Sequence, residues 1–339
     1  MKKKTLLKDI AQSVGVSTAL VSYVLNDKEE EKRVGKAIAE KIRNAAVELN
    51  YRPNQIAKSL KMSKTHTIGL VVAGLNYRFT NGIISSIEAE ARKNHYTVLL
   101  GSSDENPEKF AELINVLMNR QVDGLILLPV ERSQDQIEYL KKHEIPFVLI
   151  DRIFPDIETN QIALDNYKAA YESVKHLINT GHKRIGFINL KSTMFHLQER
   201  TRGYLQAMKD HDMAVKRGWY RELREKHLKE DMLQCVPEMV NKPLNCDALF
   251  FSTEFLTIDG LKVLNSLQKR VPDDVAVMSF DEADAFELFY CPITHARQPL
   301  EEMGKAAVRT LIDVMKDKKA CKQIFLESAF MIGKSCGED

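Results

Sequence analysis

Four side chains between positions 18 and 23 have the types and spacing to read a DNA duplex. In Thr5–Asn26, T-L-L-K-D-I-A-Q-S-V-G-V-S-T-A-L-V-S-Y-V-L-N, the apolar residues Leu7, Ile10, Ala11 and Val14 recur at helical spacing. Gly15 permits a tight turn, and Ser17 is a fitting N-cap for a second helix. Leu20, Val21, Val24 and Leu25 supply that helix with a buried face, which leaves Thr18, Ala19, Ser22 and Tyr23 pointing outward. The first residues of a recognition helix meet base edges in the major groove. Thr18 can hydrogen-bond a base or a phosphate, whereas Ala19 can only touch a thymine methyl or leave space. Tyr23 offers a hydroxyl donor or a ring to pack on the backbone.

These residues need a small domain to hold them. A third helix over Lys36–Leu49, with Ile38, Ile42, Ala45, Ala46 and Leu49 at core spacing, closes a three-helix headpiece. Pro53 then breaks the chain, and Asn54 can cap a short helix from Gln55 to Lys61. Only Ile56, Ala57 and Leu60 are apolar there, too few for a stable isolated helix. Such a segment can order on DNA, with Leu60 wedged between base steps in the minor groove. Charge agrees. Residues 1–64 hold 14 Lys and Arg against 7 Asp and Glu; of 49 and 47 in the whole chain, 35 and 40 remain for the rest. A basic start on an acidic body fits a nucleic-acid-binding module joined to something else.

The strings L-K-D-I-A-x-x-x-G-V-S-x-x-x-V-S-x-V-L-N and N-Y-R-P-N-x-I-A-x-S-L-K resemble the LacI/GalR family of bacterial repressors. The resemblance implies DNA contacts by Thr18, Ala19, Ser22 and Tyr23, with Asn54, Ala57, Leu60 and Lys61 on a hinge helix. Two features depart from the family. Tyr23 stands where Arg or His is frequent, and the loop from Asp27 to Arg33, with Glu29, Glu30 and Glu31, is longer than usual. Acidic residues near phosphates oppose binding, so this loop is expected to face away from DNA.

From Thr67 onward, short apolar runs alternate with helical stretches. Strands are predicted at Ile68–Ala73, Thr97–Leu100, Gly124–Pro129, Phe147–Ile150, Gln161–Leu164, Arg184–Asn189, Ala248–Ser252 and Val275–Phe280. Continuous apolar strands alternating with helices mean parallel sheets covered on both faces. The span exceeds one such sheet and implies two lobes. Further strings resemble the same family, among them V-D-G-L-I-L-L-P, I-P-F-V-L-I-D-R, R-T-R-G-Y and V-P-D-D-V-A-V-M-S-F-D, so the likeness runs from about Thr5 to Cys336. It implies an all-α helix-turn-helix headpiece (1–53), a hinge and linker (54–64) and an α/β body like periplasmic binding proteins (65–339). The body's two Rossmann-like lobes are expected at about 65–163 with 293–323, and 164–292 with 324–339.

Ligand chemistry in such a body belongs between the lobes, at the carboxyl ends of strands. The resemblance places Asp151, Arg200 and Asp281 there, with Glu254 where the family has Asn-Asp, and with Arg78 and Phe79 in a first-lobe loop, N-Y-R-F. A guanidinium and carboxylates give directional, charge-assisted hydrogen bonds to a polyol. If Arg78 faces the cleft, an anionic sugar derivative becomes plausible; if it faces solvent, it is uninformative. Trp219 and Tyr220 fit a core role better than ring stacking, and His182 reads as structural. The implied protein is an effector-controlled regulator, a homodimer on a pseudo-palindromic operator. Alternatives are a solute-binding or sugar-acting protein and a DNA binder whose cleft holds no ligand.

Other function classes find little support. No apolar run approaches the length of a membrane span, and charge at Lys8 and Asp9 interrupts any signal-like core, so a cytoplasmic location is expected. The five cysteines are scattered without a C-x-x-C pair, which argues against a zinc site or disulfide framework. No phosphate-cradling glycine loop or nucleophile–base set stands out, so neither an enzyme nor a bound cofactor or metal is expected.

Overall fold

A computed structural model describes residues 5–51, 64–75, 77–317 and 321–337. The chain divides into two compact units, Met1–Thr65 and His66–Asp339.

In the first unit, α1 (Leu7–Val14), α2 (Thr18–Val24) and α3 (Lys36–Glu48) pack around Ile10, Val21, Val24 and Ile42, all fully buried. Gly15 adopts φ 74°, a left-handed conformation that costs glycine little, and its N–H closes α1 on the Ala11 carbonyl. The Ser17 hydroxyl accepts from the Leu20 N–H at 3.2 Å, as its N-cap role predicts. Ala39 joins the buried face of α3, whereas Leu49, expected there, is 36% exposed at the C-cap just past the helix end. Thr5 instead donates to the Leu49 carbonyl at 2.8 Å, tying the two ends of the headpiece together.

The second unit is two parallel-rich α/β lobes. Its strands are β1 (Thr67–Val72), β2 (Thr97–Ser102), β3 (Gly124–Leu127), β4 (Phe147–Ile150), β5 (Gln161–Leu164), β6 (Ile185–Leu190), β7 (Tyr220–Leu223), β8 (Ala248–Phe251), β9 (Ala276–Phe280), β10 (Thr294–Arg297), β11 (Gln323–Leu326) and β12 (Ala329–Met331). Among them run α4 (Arg78–Lys93), α5 (Pro107–Asn119), α6 (Gln134–Lys142), α7 (Asn166–Asn179), α8 (Phe195–Asp210), α9 (Leu228–Val240), α10 (Glu254–Ser266), α11 (Ala285–Leu288) and α12 (Leu300–Lys316). One sheet has the order β11-β5-β4-β3-β1-β2, the other β12-β10-β9-β8-β6-β7. Every pairing is parallel except β10 with β12. Central strands are buried at every residue, the mark of a sheet covered on both faces.

Strand pairing moves the expected lobe boundaries. β10 joins the second sheet, so the chain returns to the first lobe after Arg297 rather than at 293. β11 pairs with β5, so Gln323–Leu326 belongs wholly to the first lobe, and the last crossing follows it. Trp219 is core, only 3% exposed, with its indole N–H on the Leu244 carbonyl at 3.3 Å. The His182 ring meets the Cys336 carbonyl at 3.0 Å, a structural contact. No disulfide links the five cysteines, four of which are buried.

Candidate effector cleft and DNA-reading helix

On α2, Thr18, Ala19 and Tyr23 are exposed and Ser22 is half-buried, as the helical pattern requires. Asn26 donates to the Ser22 carbonyl at 2.7 Å and closes the helix end. The acidic loop is tied down by ion pairs. Glu29 and Asp27 meet Arg43 of α3, while Glu31 pairs with Lys32 at 2.7 Å. Lys32 in turn stands 5.9 Å from the Tyr23 ring centre, so one end of the loop borders the reading residues. Asn54, Ala57, Leu60 and Lys61 lie outside the described residues.

In the body, a cavity of about 850 Å³ opens where strand carboxyl ends of both lobes converge. Asp151 is the first residue past β4 and Asp281 the first past β9; both have positive φ, 66° and 68°. A short polar side chain tolerates that conformation. Each backbone N–H is held by a neighbouring strand, Asp151 by the Ile162 carbonyl at 2.8 Å and Asp281 by Ala296 at 3.0 Å. The two carboxylates are therefore set by the sheets.

Arg200 comes from α8 and is 2% exposed. Its Nε donates to Asn166 at 2.9 Å, its Nη1 donates to the Ser252 carbonyl at 2.6 Å, and its guanidinium lies 3.6 Å over the Phe280 ring. Gly203, one turn further, lets α8 approach α7: a Cβ there would strike the Tyr167 carbonyl. This close packing fixes where Arg200 emerges. Glu254 begins α10 behind its N-cap, Thr253. Asp281 accepts from Gln298 at 2.6 Å and lies 3.6 Å from Arg200.

Burial dominates the electrostatics. It pushes Asp151 up to about 6, against the pull of Arg152 and Arg200. It also lifts Glu254 to about 8, with the Asp281 charge adding to the rise. Asp281 is raised by burial as well, Arg200 opposing. Burial, then the charges of Arg152 and Arg200, hold His196 well below its usual range, so the ring is neutral.

Asp151, Arg200, Glu254, Asp281 and Phe79 thus line one cavity. Arg78 does not. Its guanidinium pairs with Glu282 at 3.3 Å and with Asp284, across the mouth from the first lobe to the second. Sequence reasoning missed Arg152, Glu105, His196 and Gln298. Arg152 receives Glu105 in a two-pronged pair, both contacts 2.7 Å. The available signal was position: Arg152 directly follows Asp151, and Gln298 stands one residue beyond β10. Among the described residues, no group of three or more His, Cys, Asp or Glu is placed to hold a metal ion.

A helix-turn-helix unit and a two-lobed binding body define a class, the ligand-responsive DNA-binding regulator. Known proteins agree. Residues 6–54 match bacterial regulatory proteins of the lacI family, and residues 174–336 match a periplasmic binding protein-like domain. The HTH-type transcriptional repressor PurR of Vibrio campbellii is 30% identical over 329 residues, 94% of each chain. The ribose operon repressor of Haemophilus influenzae is 29% identical over 314 residues, 92% of each. Among solved structures, a complex of the transcriptional regulator CelR with cellobiose is 26% identical, with a TM-score of 0.72 over 98% of this chain and 100% of that one. The Lac repressor dimer bound to operator and the anti-inducer ONPF shares the fold, with a TM-score of 0.87 at 21% identity over 98% and 99% of the two chains. The chain belongs to the LacI family of bacterial transcriptional regulators. It is a DNA-binding regulator with a periplasmic-binding-protein-like body, and no helix of its described residues is long and apolar enough to cross a membrane.

Proposed function

We propose that the chain is an effector-controlled repressor that binds a pseudo-palindromic operator as a homodimer. Thr18, Ala19, Ser22 and Tyr23 read the major groove, and Asn54, Ala57, Leu60 and Lys61 act at the minor groove between half-sites. A small hydroxyl-rich molecule of the sugar class binds between the lobes, held by Asp151, Arg200, Glu254 and Asp281. Its binding biases the lobe arrangement and through it the hinge, a coupling between two sites through a two-state element. The observation that carries this reading is the cavity of about 850 Å³ lined by deeply buried ionisable groups from both lobes. Buried charges are kept only where partners compensate them, and a polar ligand supplies such partners. That a relative is named a ribose operon repressor and a structural neighbour holds cellobiose supports the sugar class.

An anionic effector loses its main support, because Arg78 is engaged by Glu282 and Asp284. The test is a titration of labelled fragments from the gene's own neighbourhood with full-length protein. Specific, salt-sensitive binding that a sugar shifts is expected, and Leu60→Ala should weaken specific binding far more than non-specific binding. Absence of any specific fragment would sink the repressor reading. Specific DNA binding that no small molecule alters would instead favour a cleft without a ligand.

A further inference from the structure

The deep cleft is short of positive charge. Six cations line the cavity, Arg132, Arg152, Lys191, Arg200, Arg224 and Lys226. Eight carboxylates do so as well, and the two in excess sit at the bottom. Arg152 is committed to Glu105 in a two-pronged pair. The remaining mouth cations are matched in number by Asp104, Glu108, Glu131 and Glu225. That leaves Arg200, helped only by the Arg152 Nε 4.0 Å from Asp151, against Asp151, Glu254 and Asp281, each no more than 7% exposed.

Arg200 cannot serve all three. Its Nε and Nη1 are occupied by Asn166 and Ser252, and its nearest carboxylate, Asp281, stands at 3.6 Å, beyond a good charge-assisted bond. Asp151 makes no hydrogen bond through its side chain among the described residues, its Oδ1 is buried and unpartnered, and its nearest cation, Arg152, is 4.0 Å away. Two further lining groups have buried acceptor-capable atoms without partners, His196 Nδ1 and Gln298 Oε1. Against these three stands one unpartnered buried donor, Arg152 Nε, so the unpartnered buried atoms of the lining are mostly acceptors. The complement of that pattern is a ligand rich in donors and carrying positive charge.

We infer that the cleft is built for a hydroxyl-bearing amine of the amino-sugar type, whose ammonium sits among Asp151, Glu254 and Asp281. The inference rests on the effector-cleft reading above and names its ligand class. Burial makes negative charge costly here, lifting Asp151 to about 6 and Glu254 to about 8, so without a ligand protons offset part of the excess. An ammonium takes the place of those protons and donates up to three hydrogen bonds into the acceptor-rich floor. Arg200, Arg152, Glu105, His295 and Gln298 are the other charged or polar groups acting on these carboxylates. A neutral sugar leaves the charge excess standing, and a uronic acid or sugar phosphate adds to it.

Calorimetry on the full chain at neutral pH tests this with matched sets: glucosamine, galactosamine and mannosamine, each against its parent sugar and its N-acetyl form, with glucuronic acid and glucose 6-phosphate as anions. At least one amine should bind about tenfold or more tighter than both neutral partners, the scale of one charge-assisted bond over a neutral one. Glu254→Gln should cut that advantage several-fold, and Asp151→Asn provides a second, nearly isosteric check if the first variant melts early. A neutral or anionic sugar that binds as tightly as its amine overturns the inference while leaving the cleft reading intact. Silence from every sugar overturns both.

Discussion

Arg200, buried, and Arg152, half-buried, are two guanidinium groups in one cleft, and they are treated in opposite ways. Arg152, on the first-lobe wall, faces a single carboxylate squarely: Glu105 meets it with two contacts of 2.7 Å. Burial works against its charge, yet the Glu105 hydrogen bond and charge raise its pKa. Arg200, on the second-lobe wall, is surrounded by three carboxylates and pairs tightly with none; burial comes out ahead and lowers its pKa. The Arg152–Glu105 pair is closed on itself through both terminal nitrogens, with only the Arg152 Nε left unpartnered. An unsatisfied cluster is a site kept waiting for a partner, because buried ionisable groups without compensation are costly.

The largest break in this comparison is expected from Arg200→Ala. Removing Arg200 leaves Asp281 and Glu254 uncompensated and Asp151 with only Arg152 at 4.0 Å, and removing one partner from a buried charged cluster costs about 3–5 kcal/mol. Urea unfolding should show that loss, and any surviving folded protein should bind operator without responding to effector. Glu105→Gln strikes the other arginine. It removes one charge-assisted pair of partly exposed groups, and a loss of about 1–3 kcal/mol is expected. The amine preference should weaken but persist, since Glu105 hydrogen-bonds Arg152 and acts on Asp151 only at a distance while Glu254 and Asp281 keep their setting. A change of ligand class in this variant would erase the distinction between the two walls.

Titration sharpens the contrast next. Burial raises the Glu254 and Asp151 carboxyls above their unfolded values, so the folded chain holds protons that the unfolded chain has released. Their contribution to stability is complete below the ordinary value of 4.5 for Glu254 and is lost as pH rises through about 8; for Asp151 the window runs from 3.8 through about 6. Glu254→Gln should therefore gain on the natural chain as pH climbs from 5 toward 8, measured as the difference between their melting temperatures. A constant difference across that range would place Glu254 in a solvated setting. An amine ligand should flatten the natural chain's loss, because its charge takes the place of the proton.

The central strands were legible because burial on both faces leaves mostly apolar residues: F-V-L-I and Q-I-A-L fall at the bounds the residue pattern gives, Phe147–Ile150 and Gln161–Leu164. The strands not foreseen are β7, β10, β11 and β12, whose sequences Y-R-E-L, T-H-A-R, Q-I-F-L and A-F-M are short, and several of their side chains face solvent. Three of them, β7, β11 and β12, lie at sheet edges, and β10 and β11 decide which lobe the returning chain joins. That choice depends on partners far away in sequence, which is why the lobe boundaries shifted. The same holds in the cleft. Asp151 and Asp281 are visible as the residues that end apolar runs. Arg152 gains its meaning only from Glu105, 47 residues earlier, and Arg78 loses its expected role only through Glu282 and Asp284.

Arg78 yields the smallest expected effect and the finest test. Its partners reach it from the opposite lobe, so the pair spans the mouth, but the guanidinium is 38% exposed and Asp284 is 85% exposed. Exposed pairs contribute roughly 0–1 kcal/mol and are screened by salt. Arg78→Ala should accordingly change stability little and shift ligand affinity by less than about threefold, with the remaining difference fading as salt is raised. The substitution leaves the three buried carboxylates and Arg200 untouched, so the preference for amine over acid should persist. If instead Arg78→Ala abolished binding of glucose 6-phosphate or glucuronic acid, the guanidinium would have to leave Glu282 and Asp284 and enter the cavity when an anion arrives. The contrast between a paired wall and a waiting cluster would then have to give way to a cleft whose charge balance is set by a mobile arginine at its mouth.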